Sequence, residues 1–234
     1  METFLGPILF LLYTADLLQL VKRHQLITHA YADDTQIYGF CRPADSAVLS
    51  EKISVCVDEV SAWMAANRLQ LNLAKTEMLR CCSSRQQHQI PADPVCIGNT
   101  DVLPVRSVRD LGVYTDADVT MRVHVTTVVH SIVAALHRIR SVRRVLPRHA
   151  LLTLVRALIV SNVDYCTSLV ARMSVQLHDR LQSVLNATAH LIFATRRTNH
   201  ISPLLRDLHW LHVPEHVKFK LCVLALLLLL AVGG

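Results

Sequence analysis

The stretch Leu26-Ile27-Thr28-His29-Ala30-Tyr31-Ala32-Asp33-Asp34-Thr35-Gln36-Ile37-Tyr38-Gly39 constrains this chain more than any other. An apolar and β-branched run climbs to Tyr31, meets two carboxylates and resumes as Thr35-Gln36-Ile37-Tyr38. That pattern predicts a hairpin with Asp33 and Asp34 at the tip of a tight turn. The Asp pair has two readings. Asp favours turns because its carboxylate bonds nearby backbone, which makes the pair a turn and nothing more. Two adjacent carboxylates on a rigid turn also offer hard oxygen ligands, and Mg²⁺ takes one or two of these together with substrate phosphates.

Length allows one sizeable domain, or a domain and a half, in 234 residues. A hydrophobic share of 52% against 18% charged residues favours a buried core over disorder. The net charge of +6, with 13 His in reserve, suits a polyanionic partner without requiring one. The seven cysteines are odd in number and contain no Cys-x-x-Cys pair, and Cys81 and Cys82 are neighbours. This argues against a secreted disulfide framework and against a zinc module, and favours a nuclear or cytoplasmic setting. The apolar run Ile8 to Leu20 is interrupted by Asp16 with no basic segment before it, so no signal peptide is expected. Leu221 to Val232 is almost wholly apolar and follows Lys218 and Lys220. It is shorter than the ~20 residues of a full transmembrane span. It reads as a helix meant for burial or as an abnormal tail, low in complexity from Ala225 to Gly234. A membrane anchor is the remaining alternative, and a membrane partner is not expected.

Past the hairpin, Arg42-Pro43-Ala44-Asp45 announces a helix whose stripe is Leu49, Ile53, Cys56, Val60 and Trp63, stopped at Asn67. Lys75 follows in Leu71-Asn72-Leu73-Ala74-Lys75-Thr76-Glu77, where a lysine is either a solvated loop charge or a catalytic group. Residues Ser83 to Asp93 read as an exposed loop, Val95 to Leu103 as a small hairpin, and Ser107 to Tyr114 as a strand pair. In that pair Gly112 either permits close approach of a partner or marks a bulge. From Met121 the period becomes helical, with stripes Val125/Val128/Ile132/Leu136/Ile139, Leu151/Leu152/Val155/Leu158/Ile159 and Leu177/Leu181/Val184/Leu185/Leu191. Arg138, Arg140, Arg143, Arg144 and Arg148 gather where the first of these helices ends. Cations there complement the helix dipole, but this many also predict a phosphate-contacting surface. No aromatic residues interleave, so base stacking is not indicated.

Tyr31-Ala32-Asp33-Asp34 in this setting resembles the catalytic hairpin of reverse transcriptases, most closely those of non-LTR, long-interspersed-element retrotransposons. Leu5-Gly6-Pro7-Ile8-Leu9-Phe10 resembles the end of that family's template- and nucleotide-contacting motif. Leu71-Asn72 with Lys75-Thr76-Glu77, Leu111-Gly112, Ser161 to Cys166 and Leu208 to Pro214 continue the likeness in the family's order, from Phe4 to about Leu224. The resemblance is to the C-terminal palm and thumb. It implies an α+β fold, with a partial right-hand polymerase palm (an antiparallel sheet with helices on one face) over 1–116. A helical thumb over 117–200 and a post-thumb segment over 201–234 would follow, with the break near Tyr114 to Thr120. It implies RNA-directed DNA synthesis from an RNA template, a DNA primer and deoxynucleotides, with Mg²⁺ or Mn²⁺. Asp33 would be a direct metal ligand and Asp34 a ligand or a support. Lys75 would donate a proton to the departing pyrophosphate. Tyr31 and Ala32 would form the floor beneath the primer end, which Leu111 and Gly112 support. The family's fingers and its first catalytic Asp strand have no counterpart in the sequence. The chain is therefore expected to be inactive by itself, unless an N-terminal polymerase segment supplies them. Two other readings stand beside this one: a non-catalytic nucleic-acid-binding module, and a transposon relic without cellular function.

Overall fold

A computed structural model describes residues 5–165, 169, 171 and 173–232. Phe4, which opens one of the segments above, and Cys166 and Gly234, which close others, lie outside the described residues. The chain divides into two compact units, Met1–Val108 and Arg109–Gly234.

In the first unit the N-terminal apolar run makes two helices, α1 (Leu5–Tyr13), which includes Gly6-Pro7 in its first turn, and α2 (Ala15–Arg23). They meet at Thr14, whose hydroxyl donates back to the Phe10 carbonyl at 2.9 Å. Leu5–Arg23 is long and apolar enough, by length and composition alone, to cross a membrane. Its second half is committed elsewhere, because Leu17, Leu20 and Val21 join Leu26, Cys56 and Val60 in the unit's core. The last two come from α3 (Ser46–Ala66). The expected stripe is the one that packs: Leu49, Ile53 and Trp63 close around the same cluster. Asn67 ends the helix, its backbone and side-chain N–H groups both donating to the Trp63 carbonyl.

The strands do not form one antiparallel sheet. Among the described residues β1 (Ile27–Tyr31) pairs only with β2 (Asp34–Tyr38). β3 (Met78–Leu79), β4 (Val95–Ile97), β5 (Thr100–Val102), β6 (Pro104–Val105), β7 (Ser107–Asp110) and β8 (Val113–Asp116) complete four separate pairs, β3–β6, β4–β5 and β7–β8 with β1–β2. The β3–β6 pair is parallel. Strands of two or three residues carry too few ladder bonds to recruit further neighbours. The small hairpin is instead fixed by α3: Asp58 accepts the Gly98 N–H at 2.7 Å, and Ser54 donates to the Cys96 carbonyl.

The second unit is built on α4 (Arg122–Val142), α5 (Arg148–Val155), α6 (Ser161–Asp164), α7 (Val175–Phe193), α8 (Ile201–Asp207) and α9 (Val213–Val232). Val125, Ile132, Ile139, Val155, Leu181, Val184 and Leu185 form its core, so the three predicted stripes do converge. One position departs from its stripe. A π-helical turn, Arg156–Val160, follows α5 and rotates the chain by an extra residue. It keeps Ile159 buried and leaves Leu158 exposed. α9 also differs from the burial expected of it. Val213 and Val217 enter the core, whereas Leu221, Leu224 and Leu226 to Leu230 are exposed.

β8 caps α4. Buried Asp116 accepts from the Thr120 hydroxyl at 3.1 Å and from the Val123 N–H at 3.3 Å, taking up a free donor of the first helical turn. His124 is buried beside it, and its Nδ1 faces the Tyr114 N–H at 3.5 Å. Burial holds His124 below its ordinary pKa, with Asp116 pulling the other way. The unfolded chain therefore takes up this proton first as pH falls. The stability contributed by neutral His124 is complete above about pH 6.5 and is lost on going below it, through the folded-state value. An NMR titration is expected to give His124 a midpoint below about 6.5, the ordinary imidazole value. The stability difference between the parent and His124→Gln should narrow as pH drops from 7.5 to 5.

Candidate functional site

The central hairpin closes with two residues. Tyr31 pairs directly with Asp34, Ala30 with Thr35 and His29 with Gln36, so the loop is Ala32-Asp33 alone. Only Asp33 is at the tip; Asp34 is the first residue of β2. The sequence placed both in the turn, and the register separates them. A two-residue connection matches the strands' twist only with positive φ at its first residue or at both, and Ala32 takes that role with φ +52°. Asp33 is thereby carried on the bend, while Asp34 is held by the strand ladder.

Alternation then sorts the side chains by face. Thr28, Thr35 and Ile37 turn to the half-buried side, where Ile37 packs on the core. Asp34 shares the open face with Tyr31, His29, Gln36 and Tyr38. His29 Nε2 and the Tyr38 hydroxyl are 2.8 Å apart with their rings stacked, and Phe40 meets Tyr38 edge-on. Tyr31 is 68% exposed and Phe40 83%. This aromatic ledge beside Asp34 was not singled out from the sequence: period-two counting forward from Asp34 reaches Tyr38, but His29 joins that face only through the register.

Lys75 ends a 3₁₀ turn, Leu73–Lys75, in the same unit and is exposed. Among the described residues it makes no ion pair within 4.0 Å with Asp33 or Asp34. No group of three or more His, Cys, Asp or Glu that could hold a metal lies among the described residues. The donors present suit one hard cation in kind, as two carboxylates on one hairpin, and do not suffice for two.

In the second unit, Leu111 and Gly112 are the two-residue loop between β7 and β8, with φ +44° and +84°. Gly112 is therefore a turn residue and not a bulge. A side chain there would stand 3.2 Å from the Tyr165 ring, whose hydroxyl donates to the Leu111 carbonyl. Arg138, Arg140, Arg144 and Arg148 are exposed and Arg143 is half-buried. Arg148 lies 5.5 Å from the Phe193 ring centroid, a cation–π contact that brings an aromatic residue of α7 to the basic cluster.

A fold of helices and small strand pairs, with a two-residue Tyr-Ala-Asp-Asp hairpin, thus carries the candidate site. Residues 3–115 match the family model described as reverse transcriptase (RNA-dependent DNA polymerase). That match supports the reverse-transcriptase family for this part of the chain; the family's members act on template, primer and nucleotides and use divalent metal ions. No curated protein and no solved structure matches the chain.

Ala32 is the strained point of the site, because a left-handed conformation costs a residue with a Cβ about 1–2 kcal/mol. Ala32→Gly is expected to raise the urea midpoint of the first unit by relieving about 1 kcal/mol. Ala32→Val is expected to lower it. Trp63 fluorescence in a Trp210→Phe background reads the transition.

Proposed function

We propose that the chain is a palm-and-thumb segment of a non-LTR, long-interspersed-element reverse transcriptase. Its palm part lies within 1–116, its thumb over 117–200 and its post-thumb segment over 201–234. One observation carries the reading. Within the stretch that resembles the family, the two carboxylates occupy distinct positions on a rigid two-residue hairpin, Asp33 on the bend and Asp34 on the strand opposite Tyr31.

In this reading Asp33, the freer of the two, is the direct metal ligand, and Asp34, set by the ladder, is a second ligand or holds the first in place. Tyr31 and Ala32 lie under the primer end. Lys75, exposed on its turn, donates the proton that the departing pyrophosphate needs. The Leu111-Gly112 turn supports the primer. Arg138, Arg140, Arg144 and Arg148 take phosphates of the template–primer, with half-buried Arg143 contributing less. A pair of Mg²⁺ or Mn²⁺ ions, when bound, would stabilise the attacking and leaving oxygens of nucleotidyl transfer. Two ions about 3.5–4 Å apart need carboxylates converging from more than one strand, and one hairpin supplies only part of that set. The chain therefore acts together with a polypeptide segment bearing a further carboxylate, and is inactive without it.

Primer extension on an RNA template tests this. The chain alone is expected to extend nothing. Adding an upstream fingers-and-palm segment of a non-LTR reverse transcriptase is expected to give extension that Asp33→Ala or Asp34→Ala abolishes. Extension by the isolated chain that Asp33→Ala removes would show that the site needs no further carboxylate. Binding to template–primer is expected to weaken in Arg140→Glu/Arg144→Glu, with the salt slope falling by about 1 for each phosphate no longer neutralised. Loss of binding in that variant, with extension never appearing and Asp33→Ala silent, would leave a nucleic-acid-binding module.

A further inference from the structure

Beyond Lys220, α9 is apolar on every side and exposed on every side. Leu226 to Leu230 are consecutive, so at 100° per residue they cover the full circumference of the helix. Each is exposed, Leu226 by 57% and Leu229 by 72%. A helix that docks in a protein groove shows one apolar stripe and a polar back. This one has no polar back to leave in water, so a partner seated on one side would leave the rest uncovered. A bilayer surrounds a helix on all sides. From Leu221 to Val232 the helix rises about 18 Å at 1.5 Å per residue. Lys218 and Phe219 are exposed just before it and Lys220 half so, the cations and aromatic ring that settle among anionic headgroups. The root of the helix is braced. Asp164 at the end of α6 pairs with His216 at 3.0 Å and lies 4.0 Å from Lys220.

We propose that the outer half of α9 inserts into the hydrocarbon of a lipid bilayer, with Lys218 and Lys220 at the headgroup level, anchoring the chain to a membrane. The inference is independent of the polymerase reading.

Vesicle flotation of the full chain tests it, using phosphatidylcholine vesicles with and without a minor share of phosphatidylserine. The parent is expected to float with both and better with the serine lipid. Leu226→Glu/Leu229→Glu is expected to cut the floated fraction at least about tenfold with helicity unchanged, since both positions are exposed. Lys218→Glu is expected to remove the preference for the serine lipid. Tryptophan placed by Leu224→Trp, Leu226→Trp, Leu228→Trp or Leu230→Trp should be quenched by brominated lipids at steadily increasing depth. A depth that instead oscillates with the helical period would place the helix flat in the interface and overturn the insertion. The proposal also fails if the parent does not float, if the Glu variant floats equally, or if the parent is a discrete soluble dimer that the same substitutions dissociate.

Discussion

Gly39 lets the central hairpin close onto its support. A side chain there would stand 2.7 Å from one Leu49 methyl and 3.0 Å from a Leu26 methyl, so the two leucines close over the strand end because nothing projects between them. An isolated two-stranded hairpin is marginal in water. This one is clamped at its base by Leu26, Ile37 and Leu49 against α2 and α3, while its tip stands clear with Tyr31, Ala32, Asp33 and Asp34 exposed. Clamped base and bare tip are the arrangement a binding site requires. The apolar packing stabilises the ladder, the ladder fixes the Tyr31–Asp34 register, and the register holds Asp34 in a strand while Asp33 bends around it.

The same packing explains what was legible in the sequence. Helical stripes were legible because burial and a 3.6-residue period select the same residues: Cys56 and Val60 in one unit, Val125, Ile132 and Ile139 in the other. The hairpin was legible as an element but not in its register. Turn chemistry names Asp and Gly as turn formers, and here the residue at positive φ is Ala32, which no turn preference would select. Strand pairing was the least legible feature. Whether β3 joins β2 or β6 depends on residues distant in the chain, and the parallel β3–β6 pair of two residues each leaves no periodic trace. The π turn at Arg156–Val160 was hidden for a related reason, since one inserted residue changes which of Leu158 and Ile159 faces inward without changing composition.

Site chemistry divides along the same line. Asp33, Asp34 and Lys75 were singled out because the residues around them resemble a family's motifs, and the arginines because they cluster in one short stretch. The His29–Tyr38–Phe40 ledge escaped because aromatic residues in strands are ordinary, and only the register gives it a common face with Asp34. Asp116 and His124 escaped too. Their significance lies in burial, the one beneath the end of α4 as a cap, the other as a base kept neutral beside it.

The carboxylates and the apolar tail pose opposite problems of solvation. Two like charges on adjacent residues of an exposed tip repel weakly in water, since at 4 Å the interaction is about 1 kcal/mol at the dielectric of the solvent. They can therefore wait there exposed, with no partner needed to keep the fold intact. The leucines of α9 cannot wait at no cost, because each keeps apolar surface wet at roughly 25 cal/mol per Å². A charged tip tolerates being incomplete and an all-round apolar helix does not. The hairpin is thus compatible with a partner that comes and goes during a reaction, whereas the end of α9 calls for surroundings that cover it throughout the life of the folded chain.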